Sequence, residues 1–395
     1  MNQATADFIT EHLNDDIRQL ALRGTKDAEV DMTYALDQIA GWQTARHKLP
    51  SWAAVEGIVY PPHLSMEQCS SEQTALYKGL LAGQPATVVD LTGGFGVDFS
   101  FLARGTRKAV YVEQQPHLCD MARHNFRLLG LHHAEVVCDD AADYLRQMAP
   151  VDLIYIDPAR RDSHGGRTYG IADCSPDVLS LRQLLLQKAR RVLIKLSPML
   201  DWRKAVSDLG RQYVSEVHIV SAGNECKELL VVMAEKTDGL RLVCVNDEDV
   251  FEATPSATPY SPSPCIPLPS AFLYEPNASI MKAGCFNALA QHYGVAPIAR
   301  DSHLFVSADP VDHFPGRTFQ IDAVTSLRGR DLKTCLGATK QANITVRNFP
   351  LSVAELRRRL KLNEGGSVYI FATTLADNKH VLLITHKPYT EPQSQ

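Results

Sequence analysis

No stretch of 18 apolar residues occurs in the 395-residue chain, so the sequence offers no segment that would cross a bilayer as a helix. The nine cysteines are scattered and never spaced as C-x-x-C. That excludes a disulfide scaffold or a zinc ribbon and points to a reducing cytoplasm. The fourteen histidines match no ligand spacing, so no metal is expected. Met1–Asp7 lacks the basic start and apolar run of a secretory signal, and a cytoplasmic location is the expectation. Surplus positive charge is also missing. The net charge is −5, which argues against a uniformly basic nucleic-acid binder. Residues 320–395, however, carry 11 Lys and Arg against 6 Asp and Glu, a balance of +5 that leaves −10 for the rest. This asymmetry points the C-terminal end toward something anionic.

What is present is a globular composition, 45% apolar and 22% charged, in a chain long enough for about two or three domains. Residues 5–80 read as helical. Phe8, Ile9, Leu13, Ile17, Leu20 and Ala21 form one amphipathic stripe, with Gly24 as its C-cap. Pro50, Pro61 and Pro62 break the later part of this region into short pieces. Ser70 with Gln73 forms a capping box opening a helix through Leu81. From residue 86 to 235, apolar runs alternate with helical stretches. Strands are predicted at 86–91, 109–113, 134–138, 153–157, 192–196, 217–220 and 228–233, the last two paired antiparallel. The early runs are continuously apolar, as in a parallel sheet buried on both faces. The class is α/β, a doubly wound, Rossmann-like sheet. Residues 254–269 hold six prolines, an extended linker. The tail reads as a small α+β unit: strand 342–346, basic helix 353–362, turn Gly365-Gly366, strands 367–372 and 380–385. The expected domains are therefore 1–80, 81–237, a linker over 238–275, and 276–395.

The chemistry concentrates where strands end. Asp90-Leu-Thr92-Gly-Gly94-Phe-Gly96-Val-Asp98 sits where the first strand turns into a helix, with glycines that admit a ligand close to the backbone. A dinucleotide fingerprint would need a third glycine where Phe99 stands, and Asp90 is ill placed beside a pyrophosphate. It suits a cationic ligand such as S-adenosylmethionine, with its sulfonium and ammonium. Glu113 ends strand two, placed for both ribose hydroxyls, and Asp140, followed by Ala141, is placed for the adenine amino group. Asp157-Pro158 ends strand four, where open α/β sheets carry reactive groups.

On these residues, 80–235 resembles the class I S-adenosylmethionine-dependent methyltransferases, and the resemblance implies their seven-stranded sheet. Asp90 through Gly96 is similar to the family's first motif, with Thr92 in place of its usual first glycine. Glu113 resembles its ribose-binding acid, Asp140 its adenine-side acid, and Asp157-Pro158-Ala159-Arg160 its catalytic motif. The spacing Asp90, Thr92, Gly94, Gly96, Asp98 is similar to one group of ribosomal-RNA guanine methyltransferases. Asn343 through Arg359 resembles the THUMP-like module of a bacterial branch of methyltransferases, here over about 321–395. The resemblance implies an enzyme acting on RNA, tRNA or rRNA, at a nucleobase such as the exocyclic nitrogen of guanine.

One departure bears on the acceptor. Enzymes of exocyclic amines carry an aromatic residue after the prolines of the fourth motif, whereas this chain reads Asp157-Pro158-Ala159-Arg160-Arg161. A guanidinium can stack on a base or pair with phosphate, so Arg160 joins Asp157 and Pro158 as a catalytic candidate. A covalent cysteine mechanism has no support, since the loop Lys195-Leu196-Ser197-Pro198 holds none. Arg357, Arg358, Arg359 and Lys361 line the outer face of the basic helix, with Leu356, Leu360 and Leu362 inward. They are candidates for RNA phosphates, or a solvated face. A small-molecule or protein methyltransferase, an NAD(P)-binding oxidoreductase and a non-catalytic RNA-binding module are the alternatives.

Overall fold

The computed structural model describes residues 2–160, 170–255, 265–327 and 330–388. The chain divides into two compact units, Met1–Val217 with Glu228–Leu240, and His218–Lys227 with Arg241–Gln395.

The first unit opens with six helices: α1 (Gln3–His12), α2 (Ile17–Arg23), α3 (Met32–Lys48), α4 (Pro50–Ala53), α5 (His63–Gln68) and α6 (Glu72–Ala82). The stripe expected over 8–21 is split between α1 and α2, because Asp16 caps a fresh helix by accepting the Gln19 N–H. Gly24, at φ 62°, ends α2 as expected. The cap of α6 is Ser71, not Ser70: Ser71 Oγ accepts the Thr74 N–H at 3.2 Å. Ser70 is buried and donates instead to Asp98 at 2.9 Å. Trp52, Tyr60 and Met66 pack these helices onto Phe95, Val97 and Phe101.

The alternating series comes next: β1 (Thr87–Asp90), α7 (Val97–Leu102), β2 (Lys108–Glu113), α8 (Pro116–Leu128), β3 (Ala134–Cys138), α9 (Ala141–Gln147) and β4 (Val151–Ile156). Two-residue strands β5 (Ala159–Arg160) and β6 (Cys174–Ser175) pair with each other. Then come α10 (Val178–Lys188), β7 (Ala189–Leu196), α11 (Trp202–Leu209), β8 (Val214–Ala222) and β9 (Glu225–Met233). Within a nine-stranded sheet, these strands stand in the order β8-β9-β7-β4-β1-β2-β3. β1 through β4 and β7 are parallel, and β9 is antiparallel to β7. Gly223-Asn224, both at positive φ, form the two-residue turn between β8 and β9. Connections depart in opposite directions from β1 and β4, which opens a crevice at their carboxyl ends.

The second unit holds the antiparallel pair β10 (Arg241–Asn246) and β11 (Asp249–Ala253). It continues with β12 (Phe272–Pro276), α12 (Ala278–Ala283), α13 (Phe286–Tyr293), β13 (Ala296–Pro297), β14 (Phe305–Ser307) and β15 (Gly316–Thr325). The remaining elements are α14 (Arg330–Leu336), β16 (Asn343–Arg347), α15 (Val353–Leu360), β17 (Val368–Thr374) and β18 (His380–His386). Its sheet is ordered β13-β14-β12-β15-β18-β17-β16, antiparallel but for the β16–β17 pair. Leu356 of α15 is buried with Ala342, Ile370 and Leu382. The stretch expected as a linker, 238–275, is not one throughout: β10, β11 and most of β12 lie in it. Residues 256–264 of the proline run lie outside the described residues.

Candidate functional site

At the carboxyl ends of the parallel strands lies a cleft of about 540 Å³, built within the first unit. Its floor is the turn after β1. Asp90 is buried, and its Oδ1 accepts the Thr92 N–H at 2.9 Å. Thr92 Oγ1 in turn accepts the Asp157 N–H at 2.6 Å, tying the end of β4 to the turn after β1. A glycine at 92 could not make that bond. Gly93 and Gly96 are required by close approach: a Cβ would stand 2.2 Å from the Tyr111 ring at the first and 2.7 Å from Phe126 at the second. Phe99, where a dinucleotide fold would place its third glycine, stacks edge-on with Tyr111 at 5.6 Å.

The structure brings Asp90, Glu113, Asp140, Ala141 and Asp157 to this one cleft, with Thr92, Gly94 and Gly96. Glu113 Oε2 accepts the Gly94 N–H and Oε1 the Gln115 N–H, both at 2.9 Å. It therefore braces the glycine turn from the neighbouring strand. Asp140 is exposed and caps α9, its Oδ1 accepting from Ala142 at 2.8 Å and Asp143 at 3.1 Å. Asp157 Oδ2 accepts from Lys195 Nζ at 2.6 Å. Pro158 comes next, buried. Arg160 pairs through its backbone with Cys174. Its side chain, and Arg161 entirely, lie outside the described residues.

Beneath the cleft lies an ion cluster that sequence reasoning missed. Lys78 of α6 is fully buried, with Nζ 3.1 Å from Asp98 Oδ1, 2.7 Å from Glu228 Oε2 and 3.1 Å from Ser70 Oγ. Tyr155 donates to Asp98 Oδ2 at 2.6 Å. Burial alone would raise the Asp98 carboxyl, but Lys78, Lys195, Tyr155 and Ser70 together hold it below the usual range. Burial pushes Glu228 up despite Lys78. The same force holds Asp90 well above the usual carboxylate range, with the Thr92 N–H opposing and Asp98, Asp157 and Glu113 adding to the rise. Burial would depress the Lys195 ammonium, yet Asp157, Asp98 and Glu228 raise it, so it stays charged. The available signals were lone lysines in apolar settings: Lys78 on the inward face of α6, Lys195 in Val-Leu-Ile-Lys-Leu.

The acceptor set suits a cation carrying hydroxyls: four carboxylates converge on a turn with no room for a side chain at Gly93 and Gly96. Among the described residues no group of three or more His, Cys, Asp or Glu could hold a metal ion, and no helix is long and apolar enough to cross a membrane. In the second unit the basic helix departs from expectation. Arg358 and Arg359 are exposed, and Lys361 lies past the helix end as its left-handed cap. Arg357 is not outward with them. It is 23% exposed, 3.6 Å from Glu364, with Nη1 buried.

Three family models match: Conserved hypothetical protein 95 over residues 73–165, a ferredoxin-like domain over 272–315, and THUMP domain-like over 316–387. An uncharacterised S-adenosylmethionine-dependent methyltransferase of Mycobacterium tuberculosis is 26% identical over 324 residues, 79% of this chain and 83% of that protein. The crystal structure of a protein from Porphyromonas gingivalis W83, described as a methyltransferase, is 33% identical and covers 98% of both chains with a TM-score of 0.85. The cleft, its strand order and these relatives converge: the chain belongs to the class I S-adenosylmethionine-dependent methyltransferases that carry a C-terminal THUMP-like domain.

Proposed function

We propose that this methyltransferase modifies a nucleobase in RNA, tRNA or rRNA. The THUMP domain-like match over 316–387, on the part of the chain with the +5 balance, carries the reading. S-adenosylmethionine, when bound, supplies an electrophilic methyl group on a sulfonium. The chain's own residues do the rest. Asp90 and the turn through Thr92, Gly94 and Gly96 receive the cationic end. Glu113 accepts from the ribose hydroxyls, each charge-assisted bond being worth about 1.5–3 kcal/mol. Asp140 and Ala141 face the adenine.

Asp157 is the catalytic carboxylate. It accepts an N–H of the methyl acceptor, orients the lone pair and takes up the developing positive charge. Lys195 fixes the other side of that carboxylate, and Pro158 restricts the backbone that carries it. Arg160 is the residue we assign to stacking on the target base, in the absence of an aromatic residue. A guanine exocyclic nitrogen is the first atom to test. Arg358, Arg359 and Lys361 contact RNA phosphates, with Arg357 supporting them from within.

The test is transfer of tritiated methyl from S-adenosylmethionine to total RNA of a deletion strain. Label in one RNA species, lost with Asp157→Ala, is the expected result. Label confined to protein or small molecules would overturn the RNA reading and leave the enzyme class intact.

A further inference from the structure

We propose that Glu275, Arg317 and Arg347, in the second unit, form a binding fork for a phosphate group, separate from the methyl-transfer cleft. Glu275 on β12 and Arg317 on β15 are direct cross-strand partners. Glu275 is 4% exposed, whereas Arg317 and Arg347 are 44% and 34% exposed. Arg317 donates to Glu275 Oε2 from Nε at 2.7 Å and also from Nη2. Arg347, on β16, donates to Oε1 from Nε at 3.1 Å and Nη2 at 2.8 Å.

Both guanidiniums therefore use the same edge, Nε with Nη2, on one buried carboxylate. The end carrying Nη1 takes no part in holding Glu275 on either arginine. One guanidinium would suffice to neutralise Glu275; the second leaves a fixed surplus of +1 at a half-exposed position. Two planar forks with spare donors, oriented in advance, match the oxygens of a phosphate, and little rotamer freedom is lost on binding. The placement is built into the backbone. A Cβ on Gly316 would stand 2.2 Å from the Glu275 carbonyl oxygen, so glycine is needed for the approach that sets Arg317 opposite Glu275. Arg317 Nη2 lies 3.4 Å from Thr345 Oγ1, two residues before Arg347 on the same strand. The ligand class is a phosphate oxyanion, either a phosphodiester of a nucleic-acid backbone or free phosphate. The first case deepens the RNA reading and rests on it; the second stands without it.

The experiment uses the full chain, with two probes: a fluorescent single-stranded RNA followed by anisotropy across a salt series, and inorganic pyrophosphate followed by calorimetry. Arg317→Gln with Arg347→Gln should weaken RNA binding roughly tenfold or more and flatten the log–log salt slope by about 1.4, two contacts at about 0.7 each. Arg317→Lys with Arg347→Lys keeps charge and the ion pairs to Glu275 but loses the fork. It should retain the slope and still lose affinity, and it covers the case in which the Gln pair fails to fold. Binding of S-adenosylhomocysteine should be unchanged in both variants. RNA bound through the fork without pyrophosphate assigns the phosphodiester. Pyrophosphate bound through the fork without RNA assigns free phosphate and leaves the RNA reading to the methyl-transfer test. If wild type binds neither probe, or the Lys pair binds both probes as wild type does, the fork is a structural clamp and the proposal fails. RNA methylation by the wild type would then still support the RNA reading.

Discussion

Lys195 and Asp157 meet at 2.6 Å across the ends of two neighbouring parallel strands, β7 and β4. The lysine side chain is 15% exposed and the carboxylate 37%, so the cation is the inner partner and the anion faces the cleft. An ammonium in that place gives the carboxylate one fixed direction and leaves its other oxygen for a ligand.

Lys195→Met should lower methyl transfer roughly ten- to a hundredfold, the scale expected when a reacting group is misplaced by about an ångström. The affinity for S-adenosylhomocysteine should move much less. Lys195→Arg should recover a large part of the rate. Turnover of tritiated S-adenosylmethionine checks both. Equal losses in Met and Arg would reduce Lys195 to packing.

Asp90 carries a pH signature. A carboxyl raised in the folded state favours folding fully only below its unfolded value near 3.8, and that contribution is lost as pH rises through the raised value. At neutral pH the cofactor-free protein is therefore penalised by its own floor. Asp90→Asn should melt at a higher temperature than wild type, with the gap wider at pH 8 than at pH 5. It should also bind S-adenosylmethionine more weakly. Melting curves at the two pH values, with calorimetry, decide it, and a gap that narrowed with pH would contradict the assignment.

Glu113 has two duties, the brace on Gly94 and Gln115 and the acceptor facing the cleft. Glu113→Ala should weaken cofactor binding by about 1.5–3 kcal/mol, roughly ten- to a hundredfold. Because two backbone N–H groups lose their partner, a modest loss of thermal stability should accompany it. Calorimetry and a melting curve on the same sample separate the effects.

On α15 the exposed pair is Arg358 and Arg359, with Arg357 turned toward Glu364. Neutralising the exposed pair to Gln should flatten the salt slope of RNA binding by about 1.4, at about 0.7 per phosphate contact with single strands. Arg357→Gln should instead leave the salt slope nearly unchanged, since its guanidinium is turned toward Glu364. An unchanged slope in the double variant would make the pair a solvated face.

The parallel strands were legible because burial on both faces demands apolar runs, as at 109–112 and 153–156 within β2 and β4. The cleft acids were legible for the same reason, since each stands at or just past a strand end. Lys78 was not legible, because its partner Glu228 lies 150 residues away and no local pattern couples them. Ser70 illustrates the same limit. It fits a capping box by spacing, but tertiary contact with Asp98 claims its hydroxyl and the cap passes to Ser71. Strands β11 to β14 were hidden by lengths of two to five residues and by the prolines between them. Phe305–Ser307 has only three residues in which to show a period.

The bond between Lys78 and Glu228 orders events during synthesis. A chain leaving the ribosome presents α6 long before β9, with an ammonium that has only Asp98 and Ser70 to meet until β9 appears. At about 5–20 residues per second, the 150 residues between them take roughly 8–30 s to emerge. β9 then enters beside β7 carrying a carboxylate that can be buried only where that ammonium waits. A nascent chain stopped at residue 217 would already own every acid of the cleft. It would lack the anion that locks α6 to β9.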